Sequence, residues 1–162
     1  MRGATATAWL IIALGGCASV PEAAPERDAG AKQFETRPGA AALYVFRNDF
    51  PATSTLEDSV LYVDDRLIGS TLPGTFFRID LLPGTHELHG YGYDRGSLSF
   101  RARDGEAHFV ALNVIGGVSH FRAVAPAAGK REIGRCCVLM ESWQPGQRPT
   151  HLATGVSQSV HR

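Results

Sequence analysis

The sequence predicts a mainly β protein, a small antiparallel β-sandwich with one short C-terminal helix. Three observations predict it. Between residues 41 and 124 the chain is a series of short runs rich in β-branched and aromatic residues, several of them alternating apolar with polar. Turn formers punctuate these runs. Leu72-Pro73-Gly74-Thr75 and Leu82-Pro83-Gly84-Thr85 repeat the same four residues, with proline presetting φ and glycine supplying a positive φ. Finally, 162 residues at 44% hydrophobic supply one core and leave little for a second.

Taken in order, Ala41 to Arg47 is the first strand, ended by the breaker-rich Asn48-Asp49-Phe50-Pro51. Ser59 to Val63 and Leu67 to Thr71 flank Asp64-Asp65-Arg66, the pattern of a hairpin. Thr75 to Leu81 is fenced by the two Pro-Gly turns. Phe77, Ile79 and Leu81 share one face of it and Phe76, Arg78 and Asp80 the other, so a half-buried strand is expected, with Thr85 to Tyr91 as its neighbour. Ser97 to Arg103 and Glu106 to Val114 read as two strands joined in a hairpin at Asp104-Gly105. A two-residue loop at Gly116-Gly117 would set Leu112 opposite Phe121 and Val110 opposite Ala123. Pro126 suits a first helical turn, so a short helix is expected over Ala127 to Arg135. Cys136 to Trp143 either extends that helix or forms a last strand. The domain therefore spans residues 41–143, and the polar tail, residues 144–162, reads as disordered.

The N-terminal part has a different character. Arg2, the apolar Ala4 to Leu14 and the small Gly15-Gly16 read as a secretory leader over residues 1–16, too short for a transmembrane helix, which needs roughly 20 apolar residues. Leu14-Gly15-Gly16-Cys17 resembles the lipobox of bacterial lipoproteins. The resemblance implies that diacylglycerol is attached to the Cys17 thiol and that cleavage precedes it, the lipid being the only cofactor expected. Ala18 follows where an Asp would favour retention in the inner membrane, so the resemblance points to the outer membrane, with the domain in the periplasm. Residues 18–40 carry Pro21, Pro25 and Pro38, with Val20 and Phe34 as their only large apolar side chains, and read as a flexible tether.

The segments Leu43 to Arg47, Leu61 to Gly69, Gly74 to Phe77 and Leu82 to His86 resemble a bacterial lipoprotein family catalogued only as a domain of unknown function, over most of Ala41 to Cys137. The central part is similar to the PEGA surface-associated domain, which has a V-D-G turn, a Gly-Ser/Thr pair and a P-G-x-H segment. Asp65 stands where that pattern usually has Gly, and Asp tolerates a left-handed backbone better than most residues. The resemblance implies a small antiparallel sandwich on the cell envelope and brings no activity, substrate or cofactor with it.

Charge excludes one class of partner. Sixteen basic residues match sixteen acidic ones, and a nucleic-acid binder needs a basic face. No motif points to a reaction. His86-Glu87-Leu88-His89 is one residue short of the H-E-x-x-H zinc motif, and on a strand its two histidines face opposite ways. Gly90, Gly92 and Gly96 depart from the spacing of a phosphate loop. Ser119-His120 lacks the second glycine of a nucleophile elbow. Glu57, Asp58, Asp64 and Asp65 show no EF-hand spacing. Two candidates remain. Tyr91, Tyr93 and Arg95 are residue types common at interface anchors and form a candidate contact surface; the plainer reading is a loop tip. Cys136 and Cys137, with Met140, offer soft sulfur ligands for a metal such as copper. As a disulfide the two cysteines pair poorly, since neighbours lie closer than the roughly 4.4–6.8 Å such a bond prefers. The expected function is thus a membrane-anchored, non-enzymatic envelope lipoprotein that binds a protein or a wall polymer, the alternative being a sulfur-based metal or redox protein.

Overall fold

A computed structural model describes residues 21–48, 59–90 and 96–143. Cys17, the leader, Glu57, Asp58, Tyr91, Tyr93, Arg95 and residues 144–162 lie outside the described residues. Among those described, two helices and nine strands follow in the order α1 (Pro25–Ala31), β1 (Ala41–Arg47), β2 (Ser59–Val63), β3 (Arg66–Thr71), β4 (Thr75–Leu81), β5 (Gly84–His89), β6 (Ser97–Ala102), β7 (Ala107–Ile115), β8 (Val118–Val124), α2 (Pro126–Cys136) and β9 (Val138–Leu139). They form a sandwich of two sheets, ordered β8-β7-β1-β4-β9 and β3-β2-β5-β6.

The mainly β class and the sandwich are as the sequence predicts, but the pairing is mixed. β1 runs antiparallel to β4 and parallel to β7, and β9 runs parallel to β4. β1 is central and buried along its whole length, which explains its unbroken apolar run. One face sends Leu43 and Val45 between the sheets. There they meet Phe77, Ile79, Leu81, Val110 and Leu112 of the same sheet, and Leu61, Val63, Ile68 and Leu88 of the other. The opposite face sends Ala42, Tyr44 and Phe46 into a second cluster with Phe76, Phe109, Ala31 and Ile133. Phe76, on the face expected to be polar, is fully buried there because the helical segments cover it.

The hairpins β2–β3, β5–β6 and β7–β8 stay within one sheet. The β7–β8 register sets Leu112 opposite Phe121 and Val110 opposite Ala123, as the two-glycine loop requires. Asp64 and Asp65 both adopt positive φ, 49° and 59°, so the turn that usually carries glycine forms with aspartate. Among the described strands the chain passes from one sheet to the other between β1 and β2, β3 and β4, β4 and β5, and β6 and β7. β4 and β5 are not neighbours, and β6 and β7 do not form a hairpin at Asp104-Gly105. One flank of the sandwich is sealed by the last described residues: the Met140 N–H donates to the Phe76 carbonyl and the Trp143 N–H to the Ile68 carbonyl, which ties the two sheets together.

The tether reading needs correction from Pro21 onward. Glu22 bridges to Met140, the Ala23 N–H donates to the Leu139 carbonyl at 2.9 Å, and the Asp28 carboxylate accepts the Leu139 N–H at 2.9 Å. Arg27 pairs with Glu141. Phe34, a lone large apolar residue in the polar segment, packs edge-on against Tyr44 at 5.3 Å and against Phe109 at 5.7 Å. Small alanines and one well-placed ring are enough to dock this segment, because the outer face of β1 is itself apolar.

Candidate functional site

Three groups of side chains bring chemically active residues together. The first joins the β2–β3 turn to β5. Antiparallel pairing of Val63 with Leu88 brings the turn alongside His86 and Glu87. The Asp64 carboxylate accepts the Glu87 N–H at 3.0 Å and faces His86 Nδ1 at 2.6 Å, while His86 Nε2 lies 2.8 Å from the Leu82 carbonyl. Both ring nitrogens of His86 therefore face acceptors, and only the doubly protonated imidazolium can donate to both. Burial alone would lower the His86 pKa, but the hydrogen bonds and the Asp64 charge outweigh it and raise the value above 6.5. Burial would likewise raise Asp64, but the bonds from His86 and Glu87 win and lower it below 3.8. His89 sits on the opposite face, with Nε2 3.2 Å from Asp65 and its ring stacked on Tyr62 at 4.8 Å. The two histidines diverge as a strand requires. Among the described residues no group of three or more His, Cys, Asp and Glu is placed to hold a metal.

His86 thus clamps the turn rather than acting as a base, and this gives a pH prediction. A raised imidazole pKa stabilises the fold fully below about 6.5 and loses that contribution as pH rises through the folded value; a lowered carboxyl pKa contributes above about 3.8 and is lost as pH falls through its own folded value. With the Asp64 side chain 46% exposed, solvent screening reduces the pair to about 1 kcal/mol or less. His86→Gln should lower the thermal midpoint at pH 6 by roughly 3–5 °C. Wild type should lose the same increment on moving to pH 8.5, the variant should not, and parallel melting curves at both pH values would refute the clamp.

The second group is a cleft of about 760 Å³ between the Phe34–Thr36 segment, the β6–β7 connection and the start of α2. Lys130 Nζ lies 5.6 Å over the Phe34 ring, and Thr36 Oγ1 donates to the Gly105 carbonyl at 3.5 Å. His108 points inward from β7, its ring 5.0 Å from Phe100. Its Nε2 is buried without a hydrogen bond, 3.5 Å from a Glu106 carboxylate oxygen. Burial pushes the His108 pKa down, which keeps the ring neutral at physiological pH. Behind it a narrower apolar slot of about 120 Å³, lined by Leu98, Phe100, Val110, Ala123 and Val124, enters the flank of the sandwich between β6 and β8.

The third group is sulfur. Cys136 and Cys137 are joined in a disulfide between neighbours, contrary to the sequence expectation that they would pair poorly. Met140 does not join them. It is buried between the sheets, whereas Cys137 lies in the helix-covered layer, so the three-sulfur metal site is not assembled. The alternation of side chains along β9 separates them.

No family model matches the chain. It is 29% identical over 128 residues to an uncharacterized protein of Haemophilus influenzae, with 75% of each chain covered. That likeness brings no activity with it.

Of the sequence candidates, Tyr91, Tyr93 and Arg95 fall outside the described residues; on either side of them the Gly90 N–H donates to the Gly96 carbonyl at 3.3 Å. Sequence reasoning missed the cleft, whose residues come from three distant segments. The only local sign was Phe34, an isolated ring among polar residues.

Proposed function

We propose that this chain is a lipid-anchored envelope protein, attached through Cys17 in the outer rather than the inner membrane, whose sandwich binds a protein or a wall polymer without catalysing a reaction. The observation that carries the reading is the cleft at Phe34, His108 and Lys130. It combines a cation stacked on a ring with an adjoining apolar slot, the mixture by which polar polymers and protein loops are held. The PEGA-like pattern around the Asp64-Asp65 turn supports an envelope surface role.

Anchoring and fold are coupled in this reading. Pro21 is docked only four residues after Cys17, and four extended residues reach about 14 Å at most. The domain would rest against the headgroups instead of hanging several tens of Å away. In-cell crosslinking of the full chain, followed by detergent extraction and mass spectrometry, tests the reading. An envelope partner should be recovered with wild type and lost in Cys17→Ser and in Lys130→Glu. A mature form found free of membrane, or a crosslinking pattern untouched by both substitutions, would sink it.

A further inference from the structure

We propose that Cys136 and Cys137 form a reversible dithiol–disulfide site, opened by a small thiol that attacks at Cys136. The inference goes beyond the binding role and does not depend on the anchor. Three observations support it. The bond joins residues one peptide apart, and among the described residues every peptide is trans, so their Cα atoms are held closer than an ordinary disulfide prefers; bonds so constrained are more easily reduced.

The second observation is the difference between the two sulfurs. Cys136, the last residue of α2, is half-buried, whereas Cys137 is 5% exposed within the helix-covered layer. An incoming thiolate can reach only the first, which makes Cys137 the leaving sulfur.

The third is that the surroundings already suit the reduced state. Cys136 Sγ lies 3.4 Å from Asn48 Oδ1 and Cys137 Sγ lies 3.6 Å from the Arg47 carbonyl. The sulfurs of a disulfide carry no hydrogen, so neither oxygen receives a bond from them while the ring is closed. Once reduced, each thiol finds an acceptor in place. The Asn48 amide is oriented for this by its Nδ2, which donates to Glu132 at 3.3 Å. Both sulfurs also sit at the carboxyl end of α2, where the helix dipole disfavours a thiolate and favours the neutral thiol.

The exchange balances as follows. A thiolate RS⁻ bonds to Cys136 Sγ, and the electron pair of the old S–S bond passes to Cys137 Sγ, which takes a proton and donates toward the Arg47 carbonyl. A second RS⁻ attacks the outer sulfur of the mixed disulfide, forming RSSR and releasing Cys136 as a thiolate that is then protonated. Two thiols are oxidised, and two electrons and two protons are gained by the protein.

The test uses the full chain under native conditions, treated with reduced glutathione or with dithiothreitol, then alkylated and mapped by peptide so that Cys17 is read separately. Cys136 and Cys137 should resist alkylation before treatment and both become alkylated after dithiothreitol without loss of the circular dichroism spectrum. In Cys137→Ser, glutathione disulfide should form a mixed disulfide on Cys136; in Cys136→Ser, Cys137 should react on the order of tenfold more slowly because it is buried. The proposal is overturned if both cysteines are alkylated without reductant, if reduction requires denaturant, or if the two single variants react equally fast. Should either variant fail to fold, the wild-type reduction decides alone.

Discussion

Phe77→Ala is expected to remove about 3–5 kcal/mol of stability, enough to leave a domain of ordinary stability, roughly 5–15 kcal/mol, close to its unfolding threshold. Phe77 is 2% exposed and lies at the middle of β4, opposite Val45 of β1. Its ring crosses the interior to the other sheet. A Cβ on Gly69 of β3 would come within 2.9 Å of Phe77 Cζ, so the two sheets meet through this ring and the bare glycine beneath it. Deleting the ring leaves a cavity that both sheets line, and hydrogen-bonded strands collapse into it only partly. Urea denaturation at pH 7 should show a large fall in midpoint, with Phe77→Leu costing well under half as much. A loss below about 1 kcal/mol for Phe77→Ala would mean that this ring does not join the two sheets.

What could be read from the sequence is what local chemistry determines. Gly116-Gly117 fixes a two-residue loop, and a two-residue loop fixes a register, so Leu112 and Phe121 could be paired without any knowledge of the rest. Asp64-Asp65 works in the same way, since the turn needs positive φ twice and aspartate accepts it. The choice of sheet is not local. Pro83-Gly84 and Asp104-Gly105 lie between strands that part to different sheets, although each was a turn that could have joined neighbours, because a turn constrains a handful of dihedrals and not the partner that follows.

The second apolar face of β1 was present in Ala41 to Phe46, an unbroken run where a one-sided strand would alternate. Such a run requires a cover, and Pro21 to Phe34 belongs to it, although its composition by itself looks like a linker. The cleft was hidden for the same reason: Phe34, His108 and Lys130 become neighbours only when that segment docks beside α2. Neighbouring cysteines lie closer than ordinary disulfides prefer, which constrains the bond between Cys136 and Cys137 without forbidding it.

The same substitution at two positions of α2 is expected to act with opposite signs. Gly129→Ala should destabilise the protein by about 1–3 kcal/mol, whereas Gly134→Ala should stabilise it by up to about 1 kcal/mol. Alanine favours a helix over glycine by about 1 kcal/mol at either site, so the difference must come from what surrounds them. At Gly134 a new Cβ meets nothing within 4 Å. At Gly129 it would lie 2.5 Å from both Cβ and Cγ of Phe109. Phe109 Cβ is fixed to the β7 backbone and cannot rotate away. The ring is held as well, stacked on Tyr44 at 5.0 Å and flanked by Phe34. The helix must therefore lift from the sheet, taking with it Pro126 and Lys130 at the cleft and Cys136 and Cys137 at the other end. Thermal melts of the two variants at one pH would show the signs. A neutral Gly129→Ala would mean that α2 is not seated on Phe109, and the cleft would then lose the wall that α2 provides.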